Sequence, residues 1–460
     1  MENTGTLTAP ALACLLLALL AIFGLSRRAV MLPVLVATVL MTIGQQIQIG
    51  ALHFYFLRIV ILVAWLRVLV RKETADLALN PVDKAFLCWV VFSIVIGFVP
   101  KAVNPNAVMP PPTFTSVLIN RGGFALDALG AYFLARCLIR DPKDVMYAIR
   151  VMVLISIVLA CFMTFEKLTR HNLFSVFGAV PEVTVERDGR FRCQGPFTHP
   201  IHAGNYGATL MPLCIGLWFF GWKRFAVAGF IGASMVTIES ASSGPLMAWI
   251  YGMAAFCFWP LRGRMRQVRW VLLLMTLGLH LVMKAPVWWT ISRVSDLVGG
   301  GGYWRSKLID EFVNHFNEWW LAGTTYTAHW SPTGVGLPLY PDYMDLTNQF
   351  VVEGVSGGLL KLILFIVIIV KCFQRIGLAV QSTTTQYENE QFVFWALGCC
   401  LVAYMASFLS VAGSLQTDIL FYTLLAFVGA SPVSSEEPAA MAEAEREDLS
   451  TDAELSSVTH

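Results

Sequence analysis

Arg190-Phe-Arg-Cys-Gln-Gly-Pro-Phe-Thr-His-Pro-Ile-His-Ala-Gly-Asn205 is a polar stretch wedged between long apolar runs. Its two arginines, two histidines, Gly195 and two prolines leave no helix or strand period, so it reads as an ordered loop. It ends directly against the apolar run from Ala203 to Trp222. A second polar segment, from about Ala285 to Asn348, is the only other long interruption of that kind. The two together are expected to build one site at a membrane surface.

The composition around them sets the fold class. The chain of 460 residues is 57 % hydrophobic and 13 % charged, where soluble domains carry about 25 % charged residues. Runs of spanning length recur almost to residue 430, so the expectation is an all-α polytopic membrane protein with about 12–13 transmembrane helices. The apolar pattern predicts helices over 10–25, 29–45, 54–70, 83–99, 116–138, 145–166, 203–222, 225–238, 245–261, 268–284, 350–371, 391–411 and 414–430. The first run has no basic segment before it and reads as a membrane helix rather than a secretory signal. Nine of the ten cysteines fall in or beside apolar runs, and Cys193 stands alone in a polar loop. That usage implies neither a disulfide framework nor a zinc or iron–sulfur pattern.

Charge then orients the chain. Arg27 and Arg28, Arg71 and Lys72, Arg140 and Lys143, Lys223 and Arg224, the basic cluster from Arg262 to Arg269, and Lys371 with Arg375 fall on alternate connections. Cationic loops resist translocation, so that side is expected to be cytoplasmic. With an odd count the amino terminus lies outside and the carboxyl terminus inside. The other side carries a Pro-rich segment near residues 100–112, the loop 167–202, a Ser-rich turn at 239–244 and the loop 285–348. Residues 1–430 thus form one membrane-embedded domain. The acidic, aromatic-free segment 431–460 is expected to be a solvated, disordered tail. No internal repeat is visible, which weighs against duplicated transporter folds.

The outer loops hold the chemistry-bearing residues. Arg190, Arg192, Arg121 and Arg305 are cations on the side where cations are scarce, and guanidinium groups grip phosphate oxygens bidentately. They form a candidate anion site; the alternative is snorkelling to headgroups or pairing with Asp188, Asp310 or Glu311. His199 and His202 stand at i, i+3, but no carboxylate or cysteine lies at ligand spacing beside them, so no metal and no cofactor are expected. Asn205, on the next turn, is a candidate for hydrogen bonding to a sugar. Trp304, Leu308, Phe312 and Phe316 recur at spacing four and predict an amphipathic helix of about four turns. His315, His329, Asp342 and Asp345 supply bases in the same loop. Asp127 and Lys361 are mid-span ionisable residues, functional candidates by default or a structural pair.

The order of these features resembles the O-antigen ligase / O-antigen polymerase superfamily of bacterial envelope enzymes. Arg192-Cys-Gln-Gly-Pro-Phe-Thr-His-Pro-Ile-His-Ala203 is similar to that family's Arg-x-x-Gly-x-Phe-x-x-Pro-Asn-x-x-Ala stretch at a helix start. Arg305 with Leu321-Ala-Gly323 resembles its loop helix and following turn. Asn348-Gln-Phe-Val-Val-Glu-Gly-Val-Ser-Gly-Gly358 resembles the motif after its large periplasmic loop. Two departures stand out: Thr347 replaces the family's histidine, and Ser242-Ser243-Gly244 lacks the arginine of its Ser-Arg-Gly turn.

The resemblance implies a GT-C-like architecture with two structured periplasmic loops in a bacterial inner membrane. It implies transfer of a glycan from a polyprenyl-diphosphate carrier to an acceptor hydroxyl. Arg190, Arg192, Arg121 and Arg305 would hold the diphosphate. His199, His202, Asn205 and Asn348 would contact glycan, and His315, His329 or Asp345 would act catalytically in place of the missing histidine, with Asp342, His199 and His202 as further candidates for that role. The expected partners are the lipid-linked glycan, its glycan or lipid acceptor and membrane lipids, with no nucleic acid. A carrier or flippase for an anionic glycan lipid, or a non-catalytic scaffold in envelope assembly, is the alternative.

Overall fold

The structure is a computed structural model describing residues 7–74, 77–101, 104–297, 301–382 and 388–430. The expected tail, 431–460, lies outside the described residues. The chain is mostly helical, and each of the thirteen expected apolar runs folds as a helix. In order these are α1 (Ala9–Gly24), α2 (Met31–Leu40), α3 (Phe56–Val70), α4 (Pro81–Gly97), α5 (Phe114–Leu138), α6 (Pro142–Thr169), α7 (Pro200–Phe219), α8 (Lys223–Glu239), α9 (Ser243–Ala254) and α10 (Met265–Val282). Then α11 (Thr290–Leu297), α12 (Gly302–Asn314) and α13 (Phe316–Trp319) lie in the second loop, followed by α14 (Gln349–Ser382), α15 (Glu388–Phe408) and α16 (Leu415–Gly429). Four described segments are long and apolar enough to cross a membrane: Pro142–Thr169, Ser243–Val282, Gln349–Gln381 and Glu390–Phe408.

Helix starts follow ordinary capping chemistry. Asn80 accepts from the backbone of Val82 and Asp83 while Asp83 reaches back to the Asn80 amide, a closed capping box ahead of α4. Asp141 caps α6 through the Asp144 amide at 2.8 Å, and Pro142 occupies its first position. One end of the bundle is stapled by ion pairs of the basic connections, Arg27–Asp144 at 2.7 Å and Arg136–Asp83 at 2.9 Å. The mid-span ions do not meet each other. Asp127 takes a two-pronged bond from Arg58, at 2.7 and 2.6 Å, and Lys361 pairs with Glu353 at 3.2 Å.

At the centre stands α7, with 17 of its 20 residues buried. Its glycines let the neighbours come close: a Cβ on Gly207 would lie 2.5 Å from the Ala233 carbonyl of α8, and one on Gly204 would lie 2.4 Å from Ser240 Oγ. Small residues at helix crossings allow such backbone approach. Two antiparallel hairpins complete the fold: β1 (Gln46–Ile49) with β2 (Leu52–Tyr55), and β3 (Val185–Arg187) with β4 (Arg190–Arg192). Asp188 and Gly189 turn the second hairpin at φ 52° and 70°, the Asp-Gly geometry that matches strand twist.

The second loop has its own small core. Leu308, Phe312, Trp319 and Trp330 pack on Val351 and Val355 of α14. The expected four-turn helix is broken in two: at His315 the backbone leaves helical angles (φ −97°, ψ 28°), separating α12 from α13. Farther on, Gly358 at φ 79° kinks α14, and the Leu359 amide freed there donates to the Trp320 carbonyl at 2.8 Å. The kink is thus where the second loop docks on the bundle.

Candidate functional site

The polar stretch from Arg190 to Asn205 folds as β4, a buried turn and the first helical turns of α7. The turn is fixed from below by Glu166, whose carboxylate accepts the Gln194 and Gly195 amides at 3.2 and 2.9 Å. Gly195 supplies the left-handed φ of 55° that this turn requires. Beside it the Cys193 amide donates to the Glu239 carbonyl at 3.0 Å, tying the turn to the end of α8. Arg192 is thereby carried to the Ser-rich turn between α8 and α9.

Arg192 and Arg305 converge there. Arg192 Nη2 donates to Ser242 Oγ at 2.8 Å, and Arg305 Nη1 reaches Ser243 Oγ at 3.4 Å and Ser295 Oγ at 3.3 Å. Ser242 bonds the Ser240 carbonyl rather than capping α9, so no side chain caps the amides at the start of that helix. Arg192 is 9 % exposed, and its Nε has no hydrogen-bond partner. Among the described residues no carboxylate lies within ion-pair distance of Arg192 or Arg305. Burial, and then the Arg187 charge, lowers the proton affinity of both guanidiniums, with Asp188 partly opposing this at Arg192.

The histidines at the start of α7 complete this corner. His199 Nδ1 accepts the Ile201 amide at 3.2 Å, capping α7 and leaving the proton on Nε2. Desolvation and then the Arg192 and Arg187 guanidiniums push His199 down to about 4, so it is neutral at pH 7. His202 and Asn205, 8 % and 5 % exposed, keep Nδ1 and Oδ1 without partners. Both line a small cavity closed by Tyr206, Tyr404, Phe408 and Thr417. A buried polar atom with no partner costs free energy unless something fills it. Arginines, an uncapped helix start and a cavity edged by orphan polar atoms suit an anionic group joined to a polar one.

The other expected site residues lie elsewhere. Arg190 is exposed on the hairpin. Arg121 lies across Gly97 of α4, where a Cβ would come 2.2 Å from its Nε, near a second basic group. There Lys101 Nζ donates to the Ser356 carbonyl at 2.9 Å and Lys361 Nζ to Ser356 Oγ at 2.8 Å. Burial and then the Arg121 and Lys361 cations push Lys101 down to about 8. Asn348 caps α14, its Oδ1 accepting the Phe350 and Val351 amides. Asp342 clamps the Pro-rich segment by accepting the Val108 and Met109 amides at 2.8 and 2.9 Å. Asp345 is exposed.

His315 and His329 come together, but at the far end of α12 from Arg305. Ten residues of helix put about 15 Å between the two positions. With Glu318 they bring ligand atoms within 4.8 Å of one another. Sequence reading missed Glu318, although His315-x-x-Glu318 is an i, i+3 pair. Comparison of the chain with protein-family models and with curated proteins finds no significant match.

Proposed function

We propose that this protein transfers a glycan from a polyprenyl-diphosphate carrier to an acceptor hydroxyl at the outer face of a bacterial inner membrane. The observation that carries the reading is the convergence of Arg192 and Arg305, unpaired with any described carboxylate, on the uncapped start of α9. The resemblance of 192–203 and 348–358 to the O-antigen ligase / polymerase superfamily points the same way, with its GT-C-like architecture and periplasmic loops. The diphosphate would lie against both guanidiniums, whose charge stabilises the leaving group as its bond to the anomeric carbon breaks. His199 Nε2–H would donate to the same oxygens. The acceptor oxygen would form the new bond to that carbon as its proton passes to the unpartnered His202 Nδ1. Asn205 would orient the sugar. His202 takes this role because its Nδ1 is unpartnered one turn after His199, which feels the Arg192 charge, whereas His315 and His329 stand at the far end of α12.

The test is turnover by the purified protein in nanodiscs with a polyprenyl-diphosphate oligosaccharide and candidate acceptors. Released polyprenyl diphosphate with transferred glycan is the expected result, and an elongated or capped product separates polymerase from ligase. Lipid binding that depends on Arg192 but yields no product with any acceptor would replace transfer with carriage. Asp127 pairs with Arg58 and Lys361 with Glu353, which weakens the support that these mid-span ions lend to a carrier.

A further inference from the structure

The outer loop holds a grouping that glycan transfer leaves unused. His315 and Glu318 stand one turn apart across the α12–α13 break, and His329 returns beside them on the turn Ala328–Trp330. His329 Nε2 is 3.0 Å from Glu318 Oε1, and the rings of His315 and His329 meet edge to face at 5.0 Å. The geometry points to a site for one divalent transition-metal ion of the zinc type, ligated by His315, Glu318 and His329.

Two imidazoles and one carboxylate are a zinc donor set that leaves a coordination position open. Two of the donors, His315 and Glu318, are also oriented from behind by hydrogen bonds, as metal ligands are. His315 Nδ1 lies 2.9 Å from the Glu311 carbonyl, so donating its proton there leaves Nε2 as ligand atom. Glu318 Oε2 accepts from Trp330 Nε1 at 3.1 Å, holding the carboxylate plane. His315 stacks on Trp330 and His329 on Tyr326, with centroids 5.3 and 5.2 Å apart. Ligand bonds of about 2.1 Å in a tetrahedron place donor atoms roughly 3.4 Å apart. From 4.8 Å this is a short contraction, open to the exposed Glu318 and His329 side chains. An ion there would tie the end of α12 to the segment that follows Gly323, clamping the cap over α14. A Glu318–His329 hydrogen bond alone would not require His315 to face the same point.

The proposal is independent of the transfer reading, and its experiment reads metal. Full-length protein in nanodiscs is stripped with EDTA, titrated with zinc chloride by calorimetry, desalted and assayed by mass spectrometry. We expect about one zinc per chain and a higher thermal midpoint with zinc than with EDTA. Both should be lost in His315→Gln/His329→Gln. Glu318→Gln keeps the shape and should also lose the ion; equal midpoints of this variant and the wild type in EDTA show that it folds. Wild type retaining no more zinc than the variants, or zinc binding unchanged by all three substitutions, overturns the site. Transfer assays on the same samples stand apart: turnover can fail while stoichiometric zinc remains, or persist without it.

Discussion

Arg192 is fixed by one serine hydroxyl and has one buried nitrogen to spare, so its worth should be read in turnover rather than in folding. Arg192→Ala should lower release of polyprenyl diphosphate by roughly 100-fold or more, with little change in elution or melting. Arg192→Lys should recover little, because an ammonium cannot reproduce a two-pronged guanidinium contact; full activity in the alanine variant refutes the role. Lys101 gives a pH test. Its folded pKa is about 8 against an ordinary 10.5, so between those values the unfolded chain binds more protons and stability rises with pH. Thermal midpoints from pH 7.5 to 10.5 should climb in the wild type and stay flatter in Lys101→Met. Arg192 and His202 were legible because they flank a helix start. Arg192 and Arg305 were legible as members of one cationic group, but not their meeting point on Ser242 and Ser243, since no local pattern encodes contacts between such distant segments. Asn348 shows a different ambiguity: an asparagine before an apolar run fits a helix cap, the role its Oδ1 fills here, as well as a sugar contact.

At the scale of elements, the packing of α7 on the Ser-rich turn positions the arginine corner. Gly204→Ala would drive a methyl into Ser240 and Pro245, where the Cβ contacts would be 2.4 and 2.7 Å. Such overpacking costs about 1–3 kcal/mol, and here it should also shift Ser242 away from Arg192. Lower melting temperature with a disproportionate loss of transfer is the expected pair of readings. Gly358→Ala should act on the cap instead. Its φ of 79° with ψ −177° is open to glycine, and a Cβ would meet the Leu321 carbonyl at 2.6 Å. Limited proteolysis of the second loop should therefore speed up in that variant, and unchanged cleavage would count against the docking role. Thirteen helices were legible because apolar runs of that length have few other ways to fold. The break at His315 and the kink at Gly358 were not, because both are set by what the second loop touches.

For the whole molecule, large apolar side chains on several helices, among them Leu17, Leu20, Leu66 and Leu69, are exposed, as lipid contact demands. The sidedness expected from the charge pattern is open to a direct test. In a background without reactive cysteines, Thr333→Cys should react with an impermeant maleimide added to spheroplasts, and Arg266→Cys should react only after lysis. The reverse pattern would invert the topology. A last consequence concerns which substitutions the chain can absorb. Nearly all of α7 is buried, whereas no residue of α10 is. In a saturation library selected for function, α10 should accept almost any apolar exchange and drift freely. Along α7, variation should be all but frozen.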